Sequence, residues 1–148
     1  MVAIVDRVSE VLGISASGPL PLMSAVEHGL PLTSLDRVVR SVAPSDSKFA
    51  FRIVARATLA RRRKSLAVAR DRAESRLSAD ESTRLARLAG VWAMALEVWG
   101  DEDTARRFMF EEHPLLHGRR PVDVVLENEL GRPVVEGILG RLQYGSAV

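Results

Sequence analysis

Cysteine is absent from the 148-residue sequence, which excludes disulfides, thiolate nucleophiles and sulfur-ligated metals. Long apolar runs are absent as well. The apolar stretches are short and interrupted, and none approaches the ~20 residues a membrane-spanning helix needs. Met1 to Leu12 is partly apolar but carries Asp6, Arg7 and Glu10, without the basic start and small-residue cleavage site of a secretory signal. A cytoplasmic protein with no membrane association is therefore expected. The sequence also lacks internal repeats, low-complexity tracts and clear strand signals, so the expected fold class is all-α.

Arrangements of polar residues that support catalysis or metal binding are missing too. His113 and His117 stand four apart beside Glu112, but Pro114 and Gly118 oppose a regular helix and no third ligand is evident. Asp101, Glu102 and Asp103 lack the spaced ligands and central glycine of a calcium loop, and read better as helix-capping charge. The serines have no nucleophile context, and Trp92 and Trp99 share a helical face that reads as core. No enzyme activity, metal or cofactor is expected.

What the sequence does contain is an uneven charge distribution. Ten basic residues between Lys48 and Arg76 face only Asp71 and Glu74, so this stretch carries +8. With a net charge of +2 for the chain, the remainder carries −6. A basic segment in an otherwise acidic protein is an electrostatic footprint for phosphate, most simply nucleic acid. The plainer reading is a solvated helix face.

Helical signals fill the chain. Ala3 to Leu12 reads as a helix ended by Gly13, Ser15 to Pro21 as a linker, and Leu22 to His28 as a second helix stopped by Gly29. Thr33 is positioned to cap a helix that turns Leu35, Val38, Val39 and Val42 to one side. Ser78 and Glu81 form a capping box ahead of Leu85, Leu88, Trp92, Ala95, Leu96 and Trp99, and Gly100 supplies the stop. Asp101 or Asp103 opens the next helix, Pro121 suits a first helical position, and Val134, Val135, Ile138, Leu139 and Leu142 line a last helix.

The stretch F-A-F-R-I-V-A-R-A-T-L-A-R-R-R-K reads as helix, turn, helix. Phe49 to Ile53 would pack and Ala57 to Lys64 would enter the major groove, anchored inward by Leu59. Thr58, Arg61 and Arg62 would face outward to phosphates or base edges, where an arginine fork pairs with guanine at ~1–3 kcal/mol of discrimination. Arg56, Arg63 and Lys64 would neutralise phosphates.

The second half carries an ordered series: L-S-A-D-E-S-T-R-L-A-R-L-A, A-L-E-V-W-G-D, A-R-R-F-M, H-P-L-L-H-G-R-R-P-V-D-V-V and G-R-L-Q-Y-G. In combination it resembles the toxin-binding domain of Xre/MbcA/ParS-type antitoxins, and T-L-A-R-R-R-K resembles the end of the family's Xre-like helix-turn-helix. The resemblance runs from about Leu30 to the C-terminus. It implies three parts: residues 1–21, an N-terminal helix and linker; 22–76, a helix-turn-helix and dimerisation domain; and 77–148, a toxin-binding domain. It also implies a type II antitoxin that inhibits a RES-domain toxin, an enzyme that depletes NAD+. Such an antitoxin forms a homodimer within a higher-order complex and represses its own operon by binding operator DNA. The toxin-binding positions that match are Arg119, Gly140, Arg141, Tyr144 and Gly145, with Ser146, Ala147 and Val148 as a terminal plug. His117 and Arg120 depart from the family's Gly-Gly-Arg-Thr-Pro stretch, where glycine and threonine stand. A stand-alone helix-turn-helix regulator with a C-terminal dimerisation domain is the alternative reading.

Overall fold

The computed structural model describes residues 4–69 and 75–145, and these form eight α-helices and two 3₁₀ turns with no strand. The all-α expectation holds. The chain divides into two compact units, Met1–Ala86 and Arg87–Val148.

The first unit begins with α1 (Ile4–Leu12), α2 (Pro19–His28) and α3 (Leu32–Val42). Gly13 ends α1 at φ +70, where its amide reaches Glu10 and that of Ile14 reaches Ser9, a left-handed stop that glycine adopts without strain. α2 starts inside the expected linker, because Pro19 occupies a first-turn position where a missing N–H costs nothing. Thr33 does not cap α3. The helix opens earlier, at Leu32, whose side chain is buried and draws the start forward. α1 packs on α3 through Val8, Leu12, Leu35, Val38 and Val42, and the Ser34 hydroxyl donates to the Leu12 carbonyl at 2.6 Å.

The expected helix at Phe49 to Ile53 is a single 3₁₀ turn, Phe49–Arg52. Phe49, Ile53 and Val54 point inward while Phe51 is exposed, so the apolar run has no continuous helical face to bury. α4 (Arg56–Ala69) follows, and then α5 (Ala79–Trp99), whose first eight residues complete this unit. The capping box forms as expected: Ser78 N donates to Glu81 Oε1 at 2.7 Å and Glu81 N to Ser78 Oγ at 3.1 Å.

The second unit contains the rest of α5, then α6 (Glu102–Phe110), a 3₁₀ turn at Pro114–Leu116, α7 (Pro121–Glu127) and α8 (Gly131–Gln143). Leu88, Val91, Trp92, Ala105, Met109, Val122, Val125, Val135, Ile138 and Leu139 form its core. Asp101 caps α6 by accepting from Thr104 N at 2.9 Å, and buried Arg87 donates to the last carbonyls of α7, with Nε 2.8 Å from Val125 O. Trp99 departs from the sequence reading. Near the end of α5 it lies at the surface beside Phe108, ring centroids 6.1 Å apart, and only Trp92 is core.

The α7–α8 corner is unusually close. Gly131 sits so near the Val124 carbonyl that a Cβ there would fall far inside contact distance of its oxygen, with Val124 Cγ1 only 3.1 Å away. α8 consequently starts at Gly131, two residues before Pro133.

Candidate partner-binding surfaces

Leu59 is buried and anchors α4, as expected. Arg84 Nη1 donates to Ile53 O at 2.7 Å and pins the turn that precedes the helix. Ala57, Ala60, Arg61 and Lys64 then lie on one exposed face, two cations among small side chains. Arg56 is exposed at the start of the helix with its guanidinium 5.4 Å from the Phe51 ring centroid, and Thr58 is half-buried.

Two of the expected readers are occupied by acidic partners. Arg62 does not face outward: it pairs with Glu81, the two side chains being only 14% and 15% exposed. Arg63 forms a two-pronged pair with Asp36 on α3, at 2.8 and 3.3 Å. Both partners are far away in sequence, and they fix α4 to its own unit. Of the six cationic or polar residues singled out on α4, Arg56, Arg61 and Lys64 remain open to a ligand.

Glu81 links Arg62 to the start of α5. Burial acts to raise its pKa, but the Ser78 amide, the Arg62 guanidinium and the Ser78 hydroxyl outweigh it and hold the carboxyl below the ordinary range. A group depressed in the folded state stabilises above its unfolded pKa, ~4.3 for glutamate, and that contribution is lost as pH falls through the folded value. Glu81→Gln is therefore expected to cost about 1 kcal/mol at pH 7 and to narrow the gap to the parent below pH ~4. Urea midpoints at pH 7 and pH 3 check this, and a gap equal at both would refute it.

In the second unit, Val134, Gly137, Arg141 and Tyr144 follow at spacings of three and four along α8, and all four are exposed. Val135, Ile138 and Leu139 fill the core arc of α8 and leave Val134 and Leu142 at the surface. Arg141, Tyr144 and Gly145 are open to solvent. Gly140 is not on the exposed stripe: it is partly covered, with its Cβ position 3.9 Å from Met94 Cε. Gly137, which sequence reasoning passed over, takes the open place, with nothing within 4 Å of a Cβ. Ser146, Ala147 and Val148 lie outside the described residues.

The loop before α7 is built around His113, whose Nδ1 accepts from Leu115 N at 3.1 Å. That nitrogen serves the turn. His117 adopts φ 55, a left-handed position that glycine would take without strain. Arg120 offers α7 no side-chain cap and instead grips Asp123 at 2.7 and 3.0 Å. Arg119 pairs with Glu127 at 2.7 Å, both exposed. Among the described residues no group of three or more His, Asp or Glu side chains could hold a metal ion. Nor is any described helix long and apolar enough to cross a membrane.

No curated protein matches the chain. Residues 94–145, which cover the end of α5 through α8, match the family model described as the antitoxin Xre/MbcA/ParS C-terminal toxin-binding domain. The second unit is thus similar to a domain whose described role is to bind a toxin, and this supports an antitoxin role for the chain and a toxin as its partner.

Proposed function

We propose that this protein is the antitoxin of a type II toxin–antitoxin pair whose toxin is a RES-domain enzyme that degrades NAD+. The exposed face of α8 and the tail beyond it lie against the toxin and obstruct its active site. As a homodimer in a higher-order complex, the protein also represses its operon through α4. One observation carries the reading: the segment matched to a toxin-binding domain contains the stripe Val134, Gly137, Arg141 and Tyr144. Tyrosine and arginine are enriched among the residues that dominate binding energy. Inhibition of this kind needs only tight occupation, so the antitoxin contributes no chemistry of its own. The DNA-binding half rests on the +8 segment and on the open cations of α4.

Cells expressing the adjacent reading frame, with the full chain or a version ending at Leu142, test the proposal. Growth is expected with the full chain and not with the shortened one. Equal rescue would transfer inhibition from the tail to the helical body. Toxicity that neither relieves, or no toxicity at all, would favour the stand-alone regulator.

A further inference from the structure

At the α7–α8 corner the second unit leaves an open groove of about 200 Å³, which the tail-based reading does not use. Leu116 and Val124 form its buried floor, while Leu115, Leu130 and Val134 around it are 45%, 76% and 49% exposed. Isolated exposed leucines are ordinary, but three large apolar side chains around one concavity form a patch of the kind that marks an interaction site.

Leu130 is held in place. Its N–H donates to Asn128 Oδ1 at 2.8 Å, and the next residue, Gly131, is pressed against the Val124 carbonyl. A backbone already held in position gives up little freedom on association. The charges at the rim, Arg119 and Glu127, neutralise one another at 2.7 Å, so the groove favours an uncharged occupant. Val134 belongs both to the groove and to the α8 stripe, and all the lining residues fall within the segment matched to a toxin-binding domain.

We propose that this groove receives an apolar side chain presented by the toxin, with Leu130 and Val134 as the anchors of a docking site continuous with the α8 stripe. The inference rests on the antitoxin reading and adds a division of labour: the tail obstructs the toxin and the corner holds it.

The probe is the product of the adjacent reading frame, titrated calorimetrically with the full chain as wild type, Leu130→Asp or Leu130→Asp/Val134→Asp. Leu130 and Val134 are 76% and 49% exposed and lie at the start of α8, where the helix dipole favours negative charge, so thermal midpoints should stay unchanged. A loss of affinity of tenfold or more, with the chain's own oligomeric state unaltered, is expected. Undiminished affinity overturns the groove and leaves the antitoxin reading intact. A failure of the wild type to bind removes that reading and the groove with it. A changed oligomeric state with toxin affinity retained assigns the groove to a second copy of the chain, which also overturns the proposal. If a variant unfolds, hydrogen exchange on the wild-type complex decides. Protection of residues 114–134 supports the docking site, and unchanged exchange there overturns it.

Discussion

Gly131→Ala is expected to destabilise the second unit by about 3 kcal/mol, at the upper end of what overpacking a close contact costs. The reason is the position of the Val124 carbonyl, a backbone group that cannot rotate away as a flexible side chain would. Adding one methyl group must either move α8 off α7 or distort the turn between them. The sequence provides a selective readout, since its two tryptophans, Trp92 and Trp99, both belong to the second unit. The urea midpoint followed by tryptophan fluorescence should fall in the variant, and toxin neutralisation should fail at temperatures the parent tolerates. A fluorescence midpoint equal to the parent's would show that the corner yields without cost.

The second large effect concerns DNA. If the exposed face of α4 meets an operator, Arg61→Ala/Lys64→Ala is expected to lower affinity roughly a hundredfold at fixed salt, from two lost contacts of ~1–3 kcal/mol each. The slope of log affinity against log salt should also flatten by about two, because two fewer phosphate charges are neutralised. Toxin binding should be unaffected. Arg62→Ala is a contrasting case: its guanidinium is spent on Glu81, so the change should weaken the first unit before it weakens any contact with DNA. Fluorescence anisotropy on a labelled promoter fragment at three salt concentrations separates these effects. An unchanged slope for the double variant would remove α4's exposed face from the reader.

How far the sequence can be read depends on the range of the interaction. The Ser78–Glu81 box, the Asp101 cap and the glycine stop at Gly13 are each formed within a few residues, and each is legible from local spacing. Contacts between distant residues are not. Nothing near Arg62 or Arg63 in the chain announces Glu81 and Asp36, nineteen and twenty-seven residues away. The apolar run from Phe49 to Val54 reads as a packing helix, but burial of Phe49, Ile53 and Val54 without Phe51 is satisfied by one 3₁₀ turn. On α8, Val134 and Leu142 share the apolar spacing of Val135, Ile138 and Leu139, and local spacing does not show that only the last three are buried. That Gly137 lies open while Gly140 is partly covered likewise depends on the distant Met94.

Leu30 sets a condition on how the first unit comes into being during synthesis. It is fully buried, its N–H donates to the Ser82 hydroxyl fifty-two residues downstream at 2.8 Å, and its carbonyl accepts from Leu77 N at 2.8 Å. A nascent chain that has reached only Arg76 has made the whole of α4, yet it leaves Leu30 without these partners. A chain interrupted there therefore holds α4 in an incompletely folded first unit. The basic helix gains a finished scaffold only once α5 has begun to emerge, so under the proposed function a half-made chain would not compete for the operator.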